Sequence, residues 1–208
     1  MSHALGPKAT TVALSVAIFF LAACAPAPEL TLEPDPPAPE ESQDVDQAPL
    51  ALSFIPPDDC TVLLPEDSLA ALEAEGIELL RGPGSPSPDP IYFDGQTPEE
   101  LVGGLSCLFG LPGDDDSGVT ILLSAAPVDP ALRPSIISDL LGQNLNVGQT
   151  FDGTGLTYWI WGDEGIVSAL HNELYEDAWY SALIQPGGRP AYDRAVVLVG
   201  AMRALTTE

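Results

Sequence analysis

The stretch TYWIWGDEGIVSALHNELYEDAWYSALIQ, residues 157–185, carries the clearest structural signal in this chain of 208 residues. Three segments rich in β-branched and aromatic residues are separated by short polar segments: Thr157–Trp161, Ile166–Leu174 and Ala178–Gln185. Strand-forming residues bounded by turn-forming residues favour consecutive antiparallel strands. The sequence therefore predicts a three-stranded meander.

A final helix is predicted to begin at Pro190, directly after the meander. Apolar residues recur there at the spacing of one helix face: Ala191, Ala195, Leu198, Met202 and Leu205. Upstream, turn and capping signals predict a helix from Pro65, a helical turn from Thr97, a hairpin around residues 105–126 and a helix near residues 129–141. The predicted fold class is α+β: an antiparallel sheet with helices packed mainly on one face, ending in the meander and its helix.

Two-residue turns centred on Asp163-Glu164 and Glu176-Asp177 would fix which side chains share a face of the meander. In that register Trp159, Trp161 and Trp179 lie together beneath the final helix. The opposite face then presents a candidate ligand surface made of Tyr158, His171 and Tyr180. Exposed aromatic and polar groups together can recognise a peptide, a glycan or a small ligand. The alternative is an ordinary solvated sheet face, or one covered by a further helix.

The first residues of the chain form a secretory signal. Lys8 precedes an apolar run from Val12 to Leu21, and residues 21–24 read Leu-Ala-Ala-Cys. This ending resembles the lipobox of bacterial lipoproteins, which implies cleavage before Cys24 and a diacylglyceryl group on its sulfur. A membrane-spanning helix is the alternative, but it needs roughly 20 apolar residues and this run is shorter. We expect residues 1–23 to be a signal peptide and Cys24 to anchor an exported protein on the outer face of the cell membrane.

Residues 24–50 read as the lipidated Cys followed by a disordered stalk. Seven of the residues from Ala25 to Leu50 are Pro, seven are acidic and none is basic. Such a segment cannot bury enough apolar surface to offset its chain entropy, and its prolines and like charges favour an extended spacer. Residues 51–208 are predicted to form a single globular α+β domain.

The formal net charge of −25 restricts the partners of the chain. Nucleic acid is not expected as a partner, because phosphate contacts need clustered Lys and Arg. The expected partners are the membrane, through the lipid on Cys24, and a cell-surface protein, peptide or glycan. The preference for Arg over Lys, with abundant Ala, Gly and Pro, favours an actinobacterial source.

Cys60 and Cys107 are the cysteines that remain after Cys24. An even pair in an oxidising compartment suggests a disulfide. A metal site or a catalytic cysteine would require nearby ligands or a partnered base that the sequence does not indicate. The segments Cys60–Asp67 and Ser106-Cys107 also resemble small two-cysteine surface lipoproteins of unknown function, a likeness that implies no chemistry.

The sequence contains no familiar catalytic, phosphate-binding or dinucleotide-binding motif, and we assign it no catalytic, metal or cofactor-binding residues. The run Asp114-Asp115-Asp116 lacks the oxygen spacing of a calcium loop and is interpreted as a solvated turn. We therefore expect a lipid-anchored binding or sensing domain that is not an enzyme. A structural envelope protein without a small ligand is the first alternative, and a cell-wall hydrolase using paired carboxylates is the second.

Overall fold

The predicted meander forms part of a seven-stranded antiparallel sheet. The structure, a computed structural model, describes residues 53–86, 95–113 and 118–208, all within one compact unit, Gln47–Glu208. The predicted signal peptide, Cys24, the stalk and the turn at Asp114–Asp116 lie outside the described residues.

The strands form two meanders that meet in the middle of the sheet. Their bounds are β1 Glu78–Arg81, β2 Leu105–Gly110, β3 Thr120–Pro127, β4 Asn146–Gln149, β5 Leu156–Ile160, β6 Ala169–Leu174 and β7 Ala178–Gln185. The order across the sheet is β1-β2-β3-β7-β6-β5-β4, and every neighbouring pair is antiparallel. Strand β4 is therefore an edge strand beside the predicted meander.

Four α-helices accompany the sheet: α1 Glu66–Ala74, α2 Pro98–Leu101, α3 Arg133–Gly142 and α4 Arg189–Leu205. Helix α2 begins with the predicted capping box, in which the Thr97 side chain accepts from the Glu100 backbone N–H. Helix α3 lies in the connection from β3 to β4 and takes the chain from the centre of the sheet to its edge.

The main hydrophobic core lies between the sheet and helices α1 and α4. Apolar side chains of β2, β3 and β7 pack there against Leu72 of α1 and against Leu198, Val199 and Met202 of α4. A second cluster lies on the other face, where Ile136 and Leu140 of α3 pack among the buried side chains Tyr158, Leu174 and Trp179. The predicted α+β class, with an antiparallel sheet and a C-terminal meander followed by a helix, is confirmed.

The register of the meander is confirmed in one hairpin and wrong in the other. Leu174 pairs with Trp179, as the two-residue turn at Glu176-Asp177 predicts. In the first hairpin Ile160 pairs with Leu170 and Trp159 pairs with His171. The predicted two-residue turn is replaced there by the longer loop of residues 161–168, and the odd shift in pairing moves side chains to the opposite face.

The three tryptophans consequently do not share one buried face, and that prediction is wrong. Trp179 is buried in the cluster with α3, on the side of the sheet away from α4. Trp159 lies on the α4 side and is half-buried, whereas Trp161 is 43% exposed.

The predicted Cys60–Cys107 disulfide is confirmed, with the two Cα atoms 5.6 Å apart. It ties a short 3-10 helix, Cys60–Val62, to strand β2. Gly82 is required beside this bond, because a Cβ atom there would overlap Cys60 Sγ and the Ser106 carbonyl oxygen. Both cysteines are fully buried, so the disulfide is part of the main core.

Candidate functional site

An open cleft of about 490 Å³ lies where strands β4 and β5 meet the loop of residues 161–168. It is lined by Asn146, Trp159, Ile160, Trp161, Gly162, Asp163 and Val167. Helix α4 packs mainly on β6 and β7, so the outer strands β4 and β5 are left beside its N-terminal end. The volume lies in the range of about 300–1,000 Å³ that is usual for ligand sites.

Aromatic rings form one side of this cleft. Trp159 and Trp161 stack with their ring centroids 5.6 Å apart and their planes 24° from parallel. Tyr192 of α4 holds them in place, with centroid distances of 5.2 Å to Trp159 and 6.5 Å to Trp161. We call Trp159, Trp161 and Tyr192 the aromatic cluster.

A positive charge already lies against the aromatic cluster. The guanidinium carbon of Arg189 is 4.9 Å from the Trp161 ring centroid and 5.9 Å from that of Tyr192. Such contacts are attractive because the face of an aromatic ring is electron-rich. Arg189 Nε also donates to Asp193 Oδ1 at 2.8 Å, so its charge is balanced within α4.

Asp163 organises the loop that carries Trp161. Its Oδ1 atom accepts hydrogen bonds from the backbone N–H groups of Gly165, Ile166 and Val167 at 2.8, 2.7 and 3.1 Å. These bonds, that from Val167 foremost, lower the pKa of the Asp163 carboxyl, which therefore stays charged at neutral pH. Gly162 precedes it at φ +69°, where a Cβ atom would overlap the Val167 carbonyl oxygen, so a glycine is needed.

Two side-chain oxygen atoms in the cleft are acceptors without a hydrogen-bond partner among the described residues. Asn146 Nδ2 donates to the Trp159 carbonyl oxygen at 3.1 Å. Within the described part of the chain, neither Asn146 Oδ1 nor Asp163 Oδ2 takes part in a hydrogen bond. Both side chains line the cleft, so it can accept hydrogen bonds from a ligand.

A buried polar chain lies under the aromatic cluster. His171, the pairing partner of Trp159, meets Tyr192 edge-on at 5.6 Å between ring centroids. Its Nε2 atom is 3.2 Å from Glu173 Oε1, and Tyr175 Oη donates to Glu173 Oε2 at 2.6 Å. Burial raises the pKa of Glu173, but the hydrogen bonds from His171 and Tyr175 outweigh burial and hold it below its usual value. His171 Nδ1 is buried and has no hydrogen-bond partner among the residues that the structure describes.

The predicted ligand residues Tyr158, His171 and Tyr180 do not form an exposed surface. They are 1%, 3% and 0% exposed, and the first lies on the opposite face from the other two. Tyr180 instead bonds Thr206 at 2.8 Å, and burial raises the pKa of its hydroxyl to about 12. The register of the first hairpin explains this difference, because it places His171 beside Trp159 on the α4 side of the sheet.

Sequence reasoning missed two groups of the site. Tyr192 and Arg189 belong to α4, and their contact with Trp161 depends on how α4 returns over the sheet. The exposure of Trp161 depends on the length of the following loop. The signal in the sequence was Gly162-Asp163, since a glycine followed by aspartate favours a loop held by the Asp side chain.

No protein-family model, curated protein or solved structure matches this chain. Across residues 53–86, 95–113 and 118–208, no group of three His, Cys, Asp or Glu side chains is arranged to hold a metal ion.

Proposed function

We propose that this chain is a lipid-anchored binding protein on the outer face of a bacterial cell membrane, and that the cleft beside Trp161 captures its ligand. The Leu-Ala-Ala-Cys ending at Cys24 and the preceding apolar run support the anchor. The Cys60–Cys107 disulfide supports export, because such bonds persist in oxidising compartments. Among the described helices, none has the length and hydropathy of a membrane span.

Ser53 and the cleft lie near opposite ends of helix α4. Ser53, the first described residue, bonds the Glu208 backbone at 3.0 Å, beyond the C-terminal end of α4. The backbone N–H of Gly188, just before α4, donates to the Trp161 carbonyl oxygen at 2.7 Å. Helix α4 has 17 residues, so its two ends are about 25 Å apart.

The observation that carries the proposal is the exposure of Trp161. A large aromatic side chain is seldom left exposed beside a cleft. Exposed apolar groups that cluster together mark binding sites. Ile166 and Val167, 89% and 44% exposed on the same loop, extend this apolar surface. Ordered partners hold Trp161 in place before any ligand arrives, which reduces the entropy cost of binding.

Co-sedimentation with envelope tests the proposal. The full chain would be mixed with lipid-extracted cell envelopes from the source organism, together with Trp161→Ala and the control Val197→Ala. Val197 is 68% exposed on α4 and is absent from the cleft lining, so its replacement controls for a lost surface side chain.

We expect the wild-type chain and Val197→Ala to sediment with the envelopes and Trp161→Ala to remain in solution. Circular dichroism of each variant would establish that the fold is intact. No sedimentation of the wild-type chain, or equal sedimentation of all three proteins, would refute a role for the cleft and favour a structural envelope protein.

A further inference from the structure

We infer that the ligand of the cleft is a neutral, hydroxyl-rich carbohydrate chain. This inference rests on the proposed function and names the chemical class that the cleft selects. It is carried by the charges and acceptor atoms that surround the aromatic cluster.

Cationic ligands are disfavoured at the ring surface. Arg189 already places its guanidinium 4.9 Å from the Trp161 ring centroid, so the attraction of the rings for a cation is used within the protein. A second positive group would have to displace Arg189 from these ring faces. The cleft therefore does not have the form of an open cage for an ammonium group.

Anionic ligands are disfavoured by the surrounding carboxylates. Asp163 lines the cleft as a charged group, and Glu164 follows it on an exposed part of the loop. Arg189, the cation beside the aromatic cluster, is paired with Asp193. The formal charge of −25 on the whole chain adds a long-range repulsion of polyanions.

Hydroxyl groups match the side-chain oxygen atoms that line the cleft. Asn146 Oδ1 and Asp163 Oδ2 are acceptors, and a hydroxyl can donate to each. A hydrogen bond to a charged carboxylate is stronger than one between neutral groups, so Asp163 should contribute more than Asn146. A carbohydrate supplies several such donors without net charge.

The aromatic cluster matches the other surface of a sugar ring. The C–H groups on one face of a pyranose carry partial positive charge, and they complement the negative face of an indole. This surface is the part of Trp161 that Arg189 leaves exposed, together with the adjoining Trp159 ring. Because the cleft is open to solvent, a bound sugar unit can be part of a longer chain.

A glycan array distinguishes this class from the others. Full-length chain would be applied to neutral oligosaccharides of hexose, pentose and N-acetylhexosamine units, printed beside amino-sugar and uronic-acid oligosaccharides and extended peptides. Trp161→Ala and Val197→Ala would be applied to matched arrays at the same concentration.

We expect the wild-type chain and Val197→Ala to bind at least one neutral oligosaccharide, with at least a tenfold loss of affinity in Trp161→Ala. Binding only to charged oligosaccharides or to peptides, lost in Trp161→Ala, would overturn the carbohydrate class and leave the proposed binding function intact. If none of the probes binds in a way that depends on Trp161, the carbohydrate inference is overturned. Envelope co-sedimentation decides separately whether the proposed binding function stands.

Discussion

At the scale of single residues, Glu99 is the most unusual group in the structure. It is 6% exposed at the start of α2, and its Oε1 atom accepts from Ser181 Oγ at 2.6 Å. Ser181 belongs to a row of paired polar residues that crosses five strands: Ser106, Ser124, Ser181, Asn172 and Tyr158. Burial is the main cause that raises the Glu99 pKa, since a charged carboxylate is poorly solvated there.

Glu99→Gln should therefore stabilise the protein at neutral pH. Below the ordinary glutamate pKa of 4.5 the carboxyl is protonated in both the folded and the unfolded chain, and its stabilising contribution is fully present. That contribution is lost as the pH rises through the raised folded-state pKa, because the unfolded chain then releases its proton more readily. Glutamine keeps the shape of the side chain but does not titrate.

Thermal unfolding of Glu99→Gln between pH 4 and pH 8 checks this prediction. The gain in Tm should grow with pH, and each 1 kcal/mol corresponds to about 2–4 °C for a domain of this size. The control is Asp139→Asn, which removes one charge from an exposed position on α3. A Tm difference that is independent of pH would contradict the assignment of a raised pKa.

At the scale of secondary structure, the loop of residues 161–168 determines where Trp161 lies in the cleft. Three of its backbone N–H groups converge on Asp163, and this arrangement positions Trp161. Asp163→Ala should accelerate amide hydrogen exchange of residues 165–167 on the order of tenfold, because their hydrogen-bond acceptor is lost. Asp163→Asn keeps an acceptor oxygen and is the matched control. NMR-detected exchange rates that are equal in the two variants would contradict this role.

The local sequence signals predicted the presence of helices and strands better than they predicted how the strands pair. The turn at Glu176-Asp177 has two residues, as predicted, and Leu174 consequently faces Trp179. Gly162 and Asp163 instead begin a longer loop, and the length of a loop that is closed by a side chain is not encoded in strand periodicity. The faces assigned to His171, Tyr180 and Trp179 were wrong for that reason, whereas Tyr158 does lie on the side away from α4.

Strands β1 and β4 were not predicted at all. Each has only four residues, and β4 reads Asn-Val-Gly-Gln, without the β-branched or aromatic enrichment that marks a strand. Their formation depends on neighbours β2 and β5, which supply hydrogen-bond partners. The edge of the cleft that β4 forms was therefore beyond prediction from local patterns.

At the scale of the whole molecule, the disulfide is a major source of stability. It closes a loop between residues separated by 47 positions, which restricts the unfolded chain. The double variant Cys60→Ala, Cys107→Ala should lower the free energy of unfolding by about 2–5 kcal/mol. Denaturant unfolding measures this loss. An unchanged midpoint would mean that the core holds these segments together without the covalent bond.

The proposed lipid anchor is tested at Cys24. Cys24→Ser should abolish labelling by radioactive palmitate and leave the precursor uncleaved, because serine lacks the thiol that receives the lipid. Cys60→Ser is the control, since its thiol is assigned to the disulfide. Normal lipid incorporation into Cys24→Ser would remove the basis for the proposed location.

The claim that Trp161 forms a ligand site is tested most directly by indole N–H signals in NMR spectra of the full chain, assigned with Trp161→Phe. Trp179 Nε1 donates to buried Asn172 Oδ1 at 3.0 Å, so its proton should exchange slowly with solvent, whereas that of exposed Trp161 should exchange fast. Adding a neutral polysaccharide fraction of the cell envelope should shift the Trp161 signal and slow its exchange, with Trp179 unchanged. An unperturbed Trp161 signal at saturating polysaccharide would contradict a ligand site at Trp161.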